Sequence, residues 1–242
     1  MLTMPTTIVT ITGADDHTDP KALVALSKEF PFVEWAVLLS ASRMGTPRYP
    51  SRAWLMEFEE VSRDARRQAG STFRYAVHFC GQCTRDTLAG NARWIEDISP
   101  DRIQLNGFKR TDSFVGLAKR LGVKRPALSL ILQAGDLDGL LSGASTALEI
   151  GGDTSVLFDP SGGRGIATTA WPVLPGVHLG YAGGIGPDNI TAVLQRLRKI
   201  CAPETDLWID MESRVRNDDD KLDMARVCMV LSKAQQCILE AT

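Results

Sequence analysis

Eight short β-branched or apolar runs recur along this chain of 242 residues, and helical patterns separate most of them. The runs are Thr7–Thr12, Val33–Leu39, Phe73–Phe79, Arg102–Leu105, Ala127–Leu132, Ser155–Phe158, His178–Tyr181 and Asp206–Asp210. Strands joined through helices pair in parallel, because each right-handed crossover must be long enough to return. Two architectures accept this order: a doubly wound open sheet and a closed barrel. Eight units within about 250 residues is the barrel's own count. The sequence therefore predicts an α/β fold, a (β/α)8 TIM barrel, as a single domain over residues 1–242. The most polar stretch, Arg214–Lys221, follows the last strand and is expected to be a loop.

Between the strands, Asp19 is a natural N-cap, and Pro20 stands where its missing N–H costs nothing, so a helix is expected through Phe30. Further helices are predicted over Ser51–Gln68, Asp112–Leu121, Leu137–Ile150, Asp188–Ile200 and Leu222–Glu240. Weaker patterns at Gly81–Asn91 and Gly165–Trp171 fit short helices.

Composition enters mainly by exclusion. Hydrophobic residues are 44% and charged residues 23%, ordinary for a globular chain. A net charge of −2 supplies no basic face for nucleic acid, but leaves room for a local pocket that takes an anionic small molecule. Five scattered cysteines suit reduced thiols in a cytoplasmic protein better than a disulfide framework. No apolar run approaches the ~20 residues that cross a bilayer. Met1–Thr7 lacks the basic and apolar regions of a signal peptide, so no membrane partner is expected. No sequence feature specifies an oligomeric state.

In a barrel the loops after the strands share one face, and that face carries the chemistry. Asp159 ends the sixth run and precedes Gly162, Gly163 and Gly165. A carboxyl at a strand end suits acid–base work when partial burial raises its pKa; otherwise it caps the loop. Gly183 and Gly184 follow the seventh run just ahead of a helix, where backbone N–H groups favour a phosphate. Arg48, stiffened by Pro47, Tyr49 and Pro50, could grip a carboxylate bidentately or simply be solvated. Cys80 and Cys83 form a C-x-x-C pair, but no second ligand pair stands at zinc-finger spacing, so no metal or cofactor is expected. Cys80 remains a candidate for proton transfer. His78 alternates with Phe79 and fits a core or wall position.

These motifs together resemble the phosphoribosylanthranilate isomerase family, a barrel of the tryptophan pathway. The matching stretches are Thr46-Pro-Arg-Tyr49, Gln104-Leu-Asn-Gly107, Phe158-Asp159 with Gly162-Gly-Arg-Gly165, Ala182-Gly-Gly-Ile-Gly-Pro-Asp-Asn189 and Ile209-Asp-Met-Glu-Ser-Arg-Val215. The resemblance covers most of the chain in strand order. It implies an Amadori rearrangement that converts a phosphorylated aminoaldose to an aminoketose. By position Asp159 corresponds to the general acid and Arg48 to the carboxylate grip. Gln104, Asp210 and Ser213 fall in the matched substrate-binding segments, with Gly162, Gly163, Gly183 and Gly184 in the loops toward the phosphate.

Three departures alter that picture. Thr12 in Thr10-Ile-Thr-Gly13 occupies the position of the family's basic cysteine. An alkyl hydroxyl ionises far above a thiol, whose free pKa is about 8.5, and needs a partner to lose its proton. Glu212 and Arg214 replace a serine and a glycine of the second phosphate loop, and the carboxylate there is expected to repel phosphate. Extra residues stand around Ala14–Thr18, Ser71–Ile98 and Arg214–Asp220. Substitute bases are Glu212, Cys80, and Asp15 or Asp16. Three functions follow: a sugar-phosphate isomerase with a replaced base, a barrel that binds a phosphorylated or carboxylated small molecule without turnover, and an enzyme using Cys80 as nucleophile on another substrate.

Overall fold

The computed structural model describes residues 6–89, 91, 93–107, 128–151, 153–168 and 171–240. Its strands are β1 (Thr7–Thr12), β2 (Val33–Leu39), β3 (Tyr75–Phe79), β4 (Arg102–Leu105), β5 (Ser129–Ala134), β6 (Thr154–Phe158), β7 (Leu179–Tyr181) and β8 (Leu207–Met211). They form a closed, wholly parallel barrel in sequence order, with β8 pairing back onto β1 from Thr7↔Leu207 to Ile11↔Met211. The helices are α1 (Pro20–Glu29), α2 (Arg52–Arg67), α3 (Gln82–Leu88), α4 (Leu137–Ile150), α5 (Ile190–Ile200) and α6 (Met224–Leu239). The helix expected over Asp112–Leu121 lies outside the described residues.

Local chemistry sets most boundaries. The Asp19 side chain accepts from Lys21 N–H at 2.9 Å and Pro20 opens α1, while Ser51 caps α2 through Trp54 N–H at 3.2 Å. Two expectations shift. β5 runs two residues further than its apolar run, because its ladder to β6 continues to Ala134↔Phe158. No helix forms between β6 and β7 among the described residues; Gly162, Gly163 and Gly165 take φ of 58°, 79° and 68°, left-handed values that turn the chain instead.

Side chains pack on both sides of the sheet. Outside, Trp54 stacks on Phe58 with centroids 5.1 Å apart, and Phe58 meets Tyr75 edge-on at 5.0 Å, tying α2 to β3. Inside, Ile131, Leu157, Ala182 and Trp208 form a small apolar cluster. A buried ionic layer lies beneath them, toward the starts of the strands. Glu34 accepts from Arg102 Nε at 2.7 Å and Nη2 at 2.5 Å, and from Thr10 Oγ1 at 2.8 Å. Trp208 Nε1 donates to Thr10 Oγ1 at 2.8 Å, and Arg102 lies 3.9 Å from the Trp208 ring centroid. The indole fits because Gly180 faces it across β7 and β8; a Cβ at Gly180 would come within 2.1 Å of the ring. The barrel is thereby plugged, and open space is left above the plug at the ends of the strands.

Candidate active site

A cavity of about 600 Å³ opens at the C-terminal ends of the strands. Asp159, Cys80, Glu212, Arg48, Gln104, Gly162, Gly163, Gly183, Gly184, Asp210 and Ser213 all line it. Thr12 does not. It is 1% exposed and lies under the floor, where its Oγ1 donates to Asp210 Oδ1 at 2.7 Å.

Asp210 sits on that floor at the end of β8. Burial pushes its carboxyl up to about 8, against the hydrogen bond from Thr12, and the negative charges of Glu212, Asp159 and Glu34 push the same way. The group therefore carries a proton at neutral pH and holds it close to its release point. Asp159 has a different environment. Its Oδ1 accepts from Ser161 N–H (3.1 Å), Ser161 Oγ (2.8 Å) and Gly162 N–H (3.1 Å), and its Oδ2 from Gly163 N–H and Gln133 Nε2 (both 2.9 Å). Every partner is a donor, so this carboxylate shapes the glycine loop as well as lining the cavity. The expected fifth strand stopped at Leu132, one residue short of Gln133, which is why the sequence did not disclose this contact.

Arg48 reaches the rim with its guanidinium already engaged. Nη1 pairs with Glu212 at 2.7 Å, and Nη2 lies 2.8 Å from Asp220. The Arg48 backbone takes φ 73°, and its N–H donates to Asp15 Oδ2 at 2.8 Å. Arg216 extends the network, with Nη2 at 2.9 Å from Asp15 and Nε at 3.0 Å from Asp220. The loops after β1, β2 and β8 are thus locked together by ion pairs. Burial pushes the Asp220 carboxyl up, but the hydrogen bonds and charges of Arg48 and Arg216 together hold it below its ordinary range. Glu212 moves the other way, because burial raises it more than Arg48 lowers it. The repulsion anticipated between Glu212 and a phosphate is offset at its source by Arg48. Asp15 and Asp16 serve as loop ties outside the cavity; Asp16 holds Ser51 through its backbone N–H at 2.7 Å and its hydroxyl.

Cys80 is a half-buried thiol that accepts from Asn106 Nδ2 at 3.1 Å. Burial pushes it up to about 11. Relative to an ordinary thiol near 9, the thiolate fraction at neutral pH is on the order of 100-fold lower. Iodoacetamide at pH 7.5 is expected to modify Cys80 of the folded protein at least that much more slowly than a free cysteine, as peptide mass mapping would read. Rapid modification would restore Cys80 as a nucleophile. Cys83 is fully buried, and among the described residues no group of histidine, cysteine or carboxylate side chains is placed to hold a metal ion.

The opposite side of the mouth is built where the loops after β6, β7 and β8 meet. Gly183 and Gly184 take φ of 113° and 63°, and a Cβ at Gly184 would come within 2.5 Å of Ala167 N. Asn189 accepts from Gly186 N–H and donates to Gly184 O, both at 2.9 Å, which fixes the turn ahead of α5. Arg164, to which the sequence analysis gave no role, and Arg214, which it placed in the second phosphate loop, line this side. Their Nε atoms donate to Ser161 O (2.8 Å) and Gly165 O (3.3 Å), and neither has a carboxylate partner among the described residues.

The fold and mouth define the class: a (β/α)8 barrel with a carboxyl-lined cavity where barrel enzymes keep their active sites. No family model matches the chain, and no curated protein is similar to it. Solved structures are similar in fold. A rubisco-like protein from Rhodopseudomonas palustris superposes with a TM-score of 0.52 at 15% identity, covering 96% of this chain and 64% of that one. The chain thus spans less than two thirds of that neighbour. Phospho-2-dehydro-3-deoxyheptonate aldolase from Thermotoga maritima gives 0.52 at 12% identity, with 99% and 71% covered. A 3-keto-L-gulonate-6-phosphate decarboxylase from Vibrio cholerae gives 0.51 at 11% identity, with 96% and 99% covered. Identities this low establish the shared barrel and nothing finer. Among the described residues no helix is long and apolar enough to cross a membrane.

Proposed function

We propose that this barrel is an acid–base enzyme that isomerises a small sugar phosphate from aldose to ketose, as its resemblance to the phosphoribosylanthranilate isomerase family suggests. The single observation that carries this reading is Asp210, a carboxyl poised near pH 8 on the floor of the cavity. The resemblance assigns the acid to Asp159. The hydrogen bonds favour Asp210, because Asp159 already accepts from five donors.

The reaction needs a proton delivered to the ring oxygen and another removed from C2. Protonated Asp210 gives its proton to the ring oxygen as the sugar opens. The carboxylate left behind sits in a site that favours its protonated form, so it is a strong base for the C2 proton. One residue then returns to its starting state. Thr12, in the position of the family's cysteine, orients that carboxyl through its hydroxyl instead of acting as the base. The glycine turn at 183–184, with Arg164 and Arg214 beside it, suits the phosphate. The neighbour named for a sugar-phosphate substrate supports this reading as fold-level analogy alone.

Purified protein mixed with phosphoribosylanthranilate is expected to consume the substrate's fluorescence. Stabilisation against heat by inorganic phosphate without any turnover would select the binding barrel instead. Absence of both would remove both sugar-phosphate readings.

A further inference from the structure

Among the described residues, two buried polar atoms of the cavity wall have no partner: His78 Nε2 and Gln104 Oε1. Both residues are only 2% exposed and both line the cavity. They are paired neighbours across β3 and β4, so their side chains rise from the same level of the barrel wall. Leaving such atoms buried and unsatisfied is costly, so an orphan pair on neighbouring strands in the wall of the cavity points to something that completes it.

The chemistry of the missing partner follows from the surroundings. The Gln104 amide is oriented by a chain of contacts. Its Nε2 donates to Asn106 Oδ1 at 2.7 Å, and Asn106 Nδ2 donates to the Cys80 sulfur at 3.1 Å. This leaves Oε1, an acceptor only, for the cavity. His78 is neutral, since burial and the nearby Arg102 charge pull its imidazole down to about 3. The pair itself is uncharged, so it offers neither an anion nor a cation a charge partner of its own. With the His78 proton assigned to Nε2, a group that donates to Gln104 and accepts from His78 at one atom is a hydroxyl.

We propose that His78 and Gln104 form a neutral subsite that holds one hydroxyl group of a polyol substrate, with His78 Nε2–H donating to its oxygen and Gln104 Oε1 accepting its hydrogen. The subsite deepens the proposed function, on which it rests for the substrate class. His78 and Gln104 are specificity-determining groups that distinguish a hydroxylated carbon chain from an alkyl one. Cys80 and Asn106 are positioning residues that act through the Gln104 amide.

The chain has three histidines, so the ring nitrogens of the whole, unaltered protein can be followed by long-range 1H–15N NMR. His17→Gln and His178→Asn, neither lining this cavity, assign His78 by elimination. The probes are ribitol, ribose 5-phosphate, butyl phosphate and inorganic phosphate. Ribitol and ribose 5-phosphate are expected to shift His78 Nε2; butyl phosphate and inorganic phosphate are expected to leave it in place. Gln104→Leu is expected to weaken ribitol at least about tenfold while altering butyl phosphate binding little. The proposal is overturned if no polyol moves His78, since a trapped water is then the pair's only partner. It is equally overturned if ribose 5-phosphate binds without moving His78, or if inorganic phosphate moves it. If ribitol moves His78 and ribose 5-phosphate binds no tighter than ribitol, the subsite stands and the sugar-phosphate reading falls.

Discussion

Asp210→Asn is expected to lower kcat by about 10²- to 10⁴-fold, the usual share of a positioned acid–base group. The substitution keeps size and keeps an oxygen to accept the Thr12 hydroxyl, so the floor of the cavity should hold its shape. In the unaltered protein, kcat/KM for the proposed reaction should fall about tenfold per pH unit above about 8, where Asp210 loses its proton. The same residue sets a pH dependence of stability with a definite sign. Its folded value near 8 lies above its ordinary 3.8. Between those values the unfolded chain binds fewer protons than the native one, so Asp210 makes stability fall as pH rises through that window and has no further effect above it. Asp210→Asn should therefore melt above the unaltered protein at pH 8, with the difference shrinking toward pH 4. An Asn variant with undiminished turnover would transfer the proton-carrying role to another group, Asp159 first.

Glu34→Ala is expected to destabilise the fold by about 3–5 kcal/mol, because it leaves the Arg102 guanidinium buried without its carboxylate. Glu34 is 1% exposed and Arg102 7%, so water does not replace the lost partner cheaply. Thr10 loses its acceptor in the same step. Replacing the whole pair by Glu34→Leu with Arg102→Met should recover most of the loss, since paired buried charges are often no better than well-packed apolar groups. Urea unfolding measures both variants, with an unchanged m-value showing that the folded and unfolded states have kept their extents. A single variant that loses less than about 1 kcal/mol would mean that the layer relaxes or admits water.

Alternation of apolar runs and helical patterns located every strand to within two or three residues, because strand and helix periods are properties of neighbouring residues. The C-terminal strand ends then pointed to the mouth, and Asp159, Glu212, Cys80 and the Gly183–Gly184 turn do line it. What these residues do there was less legible. Arg48 looked free to grip a ligand, yet its partners lie 164 and 172 residues further along the chain. His78 looked like wall material, and only the β3–β4 register shows that its orphan nitrogen stands beside Gln104.

Periodicity and punctuation in the sequence were sufficient for the order of elements, the closed count of eight and the rim on which reactive groups gather. The protonation of Asp210, the pairing of Arg48 and the unmet hydrogen bonds of His78 and Gln104 came only with the tertiary structure. Each depends on burial and on partners that barrel closure brings together from distant parts of the chain, as Thr12 and Asp210 meet across 198 residues.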